Sequence, residues 1–163
     1  MHTTSLEQTH CLLEKLKTTQ SSKEAELILK EAESLHIPHE IVRTIENEGI
    51  KLYQQQQFTE AQSYFQLLAA LEPHVHKYWM QLGQVQTKLG LYDAAANAYS
   101  VAAISAPDDP LSLLCLAFCF AKLHNFEEAK RALDSAIIRC GNCAMYSEIK
   151  AEALTFYEIL KKE

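Results

Sequence analysis

The chain has 163 residues, a net charge of −6, and 48% hydrophobic against 22% charged residues. Nucleic acid is excluded as a natural partner, because phosphate binding needs clustered Lys and Arg that displace counterions. The longest apolar stretches, such as residues 111–121, are too short or too interrupted to span a bilayer. Residues 1–7 form neither a basic n-region nor an apolar h-region, which predicts a cytosolic protein.

Two helices are predicted before residue 40. The first runs from Leu6 to Leu16, and the polar residues Thr18, Thr19, Gln20, Ser21 and Ser22 follow it. Ser21 and Glu24 then read as a capping box ahead of Ala25, Ile28, Leu29, Ala32 and Leu35, and Pro38 ends the second helix. Leu12, Leu13, Leu16, Ile28 and Leu29 make an apolar stripe with two readings. It caps the segment that follows, or it pairs with a second copy of the chain, since isologous dimers are the commonest oligomers.

From residue 42 a 34-residue period takes over. Phe58, Tyr92 and Phe126 recur at that interval, as do Ala61, Ala95 and Ala129, then Phe65, Tyr99 and Leu133. Leu68, Ala102 and Ala136 follow, and Pro73 and Pro107 close the unit, with Gly141 in the third slot. A period of that length with small, aromatic, small and Pro positions is the signature of tetratricopeptide (TPR) repeats, each a pair of antiparallel helices. The predicted fold is therefore all-α. It comprises an N-terminal helical segment over 1–40, three TPR repeats within 41–143 (42–75, 76–109 and 110–143) forming a superhelical array, and a capping helix over 144–163. Gly49, Gly83 and Ala117 are small where the partner helix crosses closely. The cap carries Ile149, Ala153, Phe156 and Leu160 on one face, ahead of Lys161, Lys162 and Glu163.

In such a stack the first helix of each repeat faces the concave side. Positions two, five, nine and twelve give Arg43, Glu46, Ile50 and Tyr53, then Lys77, Met80, Gln84 and Thr87, then Leu111, Leu114, Phe118 and Ala121. The predicted groove runs from mixed polarity to apolar, unless the C-terminal helix covers its far end. That suits an extended ligand with a few apolar anchors. A clamp for a terminal carboxylate needs Lys, Asn and Arg, but the corresponding positions hold Glu46, Ile50, Gln81, Leu111 and Cys115.

No catalytic motif appears. Gly-rich phosphate loops, HExxH and GxSxG are absent, and none of the histidines pairs with a nucleophile at motif spacing (His74 and His76 flank a turn, His36 and His39 surround Pro38). Cys140 and Cys143 form a lone CxxC, and Cys115 and Cys119 share a helix face rich in Leu, Ala and Phe. Structural zinc uses two paired half-sites, so neither metal nor cofactor is predicted, and the chain is read as a binding protein, not an enzyme.

Specific segments stand out within the repeats: Gly49-Ile50-Lys51-Leu52-Tyr53-Gln54, Phe58-Thr59-Glu60-Ala61, Tyr64-Phe65-Gln66-Leu67-Leu68 and Tyr78-Trp79-Met80-Gln81-Leu82-Gly83. They continue in Leu89-Gly90-Leu91-Tyr92, Ala98-Tyr99-Ser100-Val101-Ala102-Ala103 and Asp108-Asp109-Pro110. In these segments the chain resembles the class II chaperones of bacterial type III secretion systems, which serve the translocator proteins. The resemblance implies a groove that holds an extended segment of a hydrophobic, pore-forming client and keeps that client soluble and apart from its partner until export. It also implies homodimerisation through the N-terminal helices, and it matches Tyr53 and Phe58 to aromatic groove positions. Val101 replaces an aromatic of the family, and His124-Asn125 replaces a Gly-containing turn. The alternative reading is a TPR scaffold that binds folded partners within a larger assembly.

Overall fold

A computed structural model of the chain describes residues 2–19, 21–35 and 37–162. Met1, Gln20, His36 and Glu163, which the sequence reading touched, lie outside the described residues. Among the described residues there are helices and turns and no strand. The helices are α1 (His2–Thr18), α2 (Ser22–Glu33), α3 (His39–Gln54), α4 (Phe58–Leu71), α5 (His76–Lys88), α6 (Tyr92–Ser105), α7 (Leu111–Lys122), α8 (Phe126–Cys140) and α9 (Ser147–Leu160). The chain divides into two compact units, residues 1–85 and 86–163.

In the first unit α3 packs against α4, and α1 and α2 pack on each other and on α4. Ser21 stands at the start of α2 in extended conformation, but its side chain makes no capping bond, so the expected capping box does not form. Pro38 precedes α3, where its fixed φ suits a helix entrance and no donor is lost. Gly49 marks the closest approach of α3 to α4: a Cβ there would lie 3.1 Å from Tyr64 Cβ and 3.3 Å from the Phe65 ring. Val42, Ile45, Phe65, Leu67 and Leu68 fill the core, each contributing roughly 1.5–3 kcal/mol by burial. The Trp79 indole N–H ties the start of α5 to the preceding turn by donating to the Pro73 carbonyl at 2.8 Å.

The N-terminal stripe settles inside this unit. Leu12, Leu13, Leu16 and Ile28 are buried within the chain, and Leu29 faces Gln66, Ala69, Ala70, Pro73 and Trp79. Within one chain the two helices pack as a cap does, the first of the two readings of this stripe, and Leu29 stays half-buried. Two amphipathic helices of this length bury their stripe against the nearest apolar face, and α4 supplies one.

In the second unit α7 packs against α6 and α8, and α9 packs against α8 and α7. Tyr99, Ala102, Leu113, Leu116, Ala117, Leu133, Ala136 and Ala153 are buried. The Arg139 guanidinium donates to the Ala103 carbonyl at 3.2 Å, joining α8 to α6.

Three turns at the 34-residue interval share one backbone. Gln56, Gly90 and His124 have φ of 61°, 75° and 59°. After each, an N–H reaches back five residues: Gln57 to Leu52 O at 2.9 Å, Leu91 to Gln86 O at 2.9 Å, Asn125 to Phe120 O at 2.8 Å. These are Schellman closures, and only Gly90 adopts the left-handed conformation without steric cost. At the other helix ends, α4 and α6 stop two residues before Pro73 and Pro107, since a Pro disfavours helical geometry in the residue before it.

Candidate functional site

One cavity in each unit lies on the inward face of the first helices, and these two are built from equivalent repeat positions. In the first unit Ile50, Tyr53, Gln54, Phe65, Gln81 and Gln84 line about 310 Å³. In the second, Thr87, Tyr99, Leu111, Leu114, Cys115, Phe118, Glu152 and Phe156 line about 240 Å³. Tyr53 corresponds to Thr87, Phe65 to Tyr99, Gln81 to Cys115 and Gln84 to Phe118, each pair one 34-residue period apart. The helix period places these side chains on the inward face of the first helix of a repeat, and the aromatic from the second helix closes the floor.

The first pocket is rich in amides. Three of its six lining residues are Gln, and the Gln81 side-chain oxygen is buried with no hydrogen-bond partner among the described residues. The Tyr53 ring meets Phe58 edge to face, with centroids 5.4 Å apart, so Phe58 supports Tyr53 from outside the lining. The charged residues expected here satisfy one another instead. Glu46, 13% exposed, pairs with Lys77 at 2.5 Å. Burial, followed by the carboxylates of Glu46 and Glu72, pushes the neighbouring Tyr78 hydroxyl up to about 12, so it stays neutral. Arg43 is exposed outside the lining, and Met80 is buried in the core.

The second pocket is apolar and aromatic. Leu111 and Phe118 are 38% and 40% exposed, a large apolar surface to leave in water. Phe118 packs edge to face on Tyr92 at 6.3 Å, and the Lys122 ammonium lies 5.3 Å from its ring centre. Deeper in, the Tyr99 hydroxyl lies 3.5 Å from the Thr87 hydroxyl, which lies 3.9 Å from the Cys119 sulfur. Burial is the main cause that raises the Tyr99 hydroxyl and the Cys119 thiol, and it pushes the Cys115 thiol up to about 11. Both thiols are thus protonated at neutral pH and are poor nucleophiles. Among the described residues no group of three or more His, Cys, Asp or Glu side chains is arranged to hold a metal ion.

Of the groove positions read from sequence, Ile50, Tyr53, Gln84, Thr87, Leu111, Leu114 and Phe118 line a pocket, whereas Arg43, Glu46, Phe58, Lys77, Met80 and Ala121 line neither. Phe65 and Tyr99 also line the pockets, although the helical count of groove positions does not include them. They are core and pocket wall at once, and their shared repeat position was the available signal. Glu152 and Phe156 come from α9, which lies outside the repeats and so outside any count based on them.

The tetratricopeptide-repeat family model matches residues 47–110. No curated protein matches the chain significantly. Among solved structures, a chain of the CopN–Scc3 complex is 28% identical, with a TM-score of 0.71, over 74% of this chain and 71% of that one. The type III secretion translocator chaperone SycD of Yersinia enterocolitica is 22% identical with a TM-score of 0.71, over 77% of this chain and 87% of that one. PcrH, in complex with the chaperone binding region of PopD, is 23% identical with a TM-score of 0.73, over 79% of this chain and 97% of that one. The chain is therefore all-α, with TPR repeats over the matched segment, and it shares its fold with the type III secretion translocator chaperones.

Proposed function

We propose that the chain is a cytoplasmic, non-catalytic chaperone that binds an extended segment of a hydrophobic type III secretion translocator and holds that client soluble until export. The observation that carries this reading is the pair of pockets at equivalent repeat positions, one of which leaves Leu111 and Phe118 half exposed around an apolar cavity. An extended segment presents side chains at regular intervals, and a pocket of this size takes one. PcrH, of the same fold, is seen with the chaperone binding region of PopD. Among the described residues no helix is long and apolar enough to cross a membrane, in keeping with a partner that shields a membrane-seeking client without inserting itself.

Ordering a disordered segment costs several kcal/mol, so affinity for the client is modest and release for export is easy. A homodimer is also part of this reading. Because Leu12, Leu13, Leu16 and Ile28 are buried, its interface would use exposed residues such as Leu6 and Leu27, which are 52% and 70% exposed. Co-expression with a hydrophobic translocator encoded beside this chain tests the proposal. The expected result is client that is soluble only in the presence of the chain and that co-purifies with it. A client that stays insoluble, or that dissolves unaided, would leave a scaffold for folded partners as the better reading.

A further inference from the structure

The apolar pocket of the second unit contains one charged side chain, and it comes from the capping helix. Glu152 lines the cavity beside Tyr99, Phe118 and Phe156, is exposed, and makes no ion pair or hydrogen bond among the described residues. Glu158 of the same helix behaves differently and pairs with Lys161 at 2.7 Å. The field of Glu152 reaches into the pocket, since it is among the groups that raise the Cys115 thiol, after burial and Cys119. The opposite influence sits on α7, where Lys122 lies over Phe118. The pocket thus has an aromatic and aliphatic body and an uncompensated carboxylate on its α9 wall, and the nearby Lys122 stands on the Phe118 ring outside the lining.

We propose that this pocket reads a two-part signature in the bound segment: an apolar side chain that fills the cavity, and an adjacent Lys or Arg that pairs with Glu152. The inference rests on the peptide-binding reading above and specifies its chemistry. A basic side chain suits the position because its methylene stem covers apolar surface while its head stays at the rim with the carboxylate. The net charge of −6 favours approach of such a segment. The α9 helix then becomes a wall of the site and a determinant of specificity, besides covering the last repeat.

The test uses overlapping 15-residue peptides that tile the candidate translocator, with the tightest binder taken as probe. Its Kd is measured by fluorescence anisotropy against the wild-type chain, Glu152→Gln, Glu152→Lys and Phe118→Ala. The expected result is about a threefold loss for Glu152→Gln, as for a part-exposed ion pair, and about a tenfold loss for Glu152→Lys. Replacing one particular Lys or Arg of the probe by Glu should weaken wild-type binding and restore binding to Glu152→Lys. Added salt should weaken wild-type binding more than that of Glu152→Gln. Both Glu152 variants binding within a factor of two of wild type, with Phe118→Ala impaired, overturns the signature and leaves the peptide-binding reading standing. No peptide binding to the wild-type chain overturns both. Glu152 is exposed, so an unchanged melting temperature serves to show that its variants are folded.

Discussion

The two pockets occupy the same places in the repeat and differ in what they offer. In the first unit the equivalent positions hold Tyr53, Phe65, Gln81 and Gln84, and in the second Thr87, Tyr99, Cys115 and Phe118. The shared backbone fixes where a side chain points, and the individual residue decides what it can bind. An amide-lined pocket must satisfy its polar atoms before it gains from an apolar guest. The second pocket has less such cost and exposes more apolar surface, so it should carry most of the affinity for a hydrophobic segment.

That ranking can be broken by substitution. Phe118→Ala should weaken peptide binding by about 30-fold, the scale of a buried aromatic anchor, whereas Tyr53→Ala in the first pocket should cost about fivefold. Anisotropy titrations on the two variants check this, and a larger effect for Tyr53 would reverse the ranking.

The difference between Gln81 and Cys115 can be sharpened by pH. The unfolded Cys115 thiol loses its proton near pH 9, whereas in the folded chain it holds the proton until about 11. Its contribution to stability is complete below pH 9 and is lost as pH rises to 11, a fall of about 2 kcal/mol. Urea unfolding at pH 8, 9, 10 and 11 should show this fall reduced in Cys115→Ala. The residual slope comes from Tyr78, Tyr99 and Cys119, whose protons are also held by burial. Replacing Gln81, which does not titrate, should leave the slope unchanged.

Gln81 offers a smaller effect of opposite sign. Its buried oxygen lacks a partner, so Gln81→Met should raise stability by about 1 kcal/mol. A matched change in the denaturation midpoint with unchanged m-value is the measurement. Gly90→Ala should cost a similar amount, about 1 kcal/mol, and smallest of all, His124→Gly and Gln56→Gly should each stabilise by about 0.5 kcal/mol through relief of left-handed strain.

Much of the fold was legible because the repeat imposes it three times over. Pro73 and Pro107 stop helices, Gly49 sits where a side chain would collide, and His124 takes a glycine's conformation because its position in the period demands that turn. The site was legible only in part. Ile50, Gln84 and Phe118 share position nine and all line a pocket, since that position faces the cavity in every repeat. Positions two and five do so only as Leu111 and Leu114. In the earlier repeats Glu46 and Lys77 neutralise each other, and Met80 sinks into the core. A helical count gives direction, and it is blind to which neighbours pair. It is blind also to Glu152 and Phe156, which no repeat contains, and to the unused hydroxyl of Ser21.

The most direct test places a photo-crosslinking phenylalanine analogue at position 111, on the rim of the second pocket, and at position 138, where the side chain is 77% exposed and lines neither of the two pockets. With a co-expressed translocator, irradiation should join position 111 to one short client segment that holds an apolar residue, with little product at 138. No client product at 111, or equal yields at both positions, would contradict a chaperone that works through this pocket.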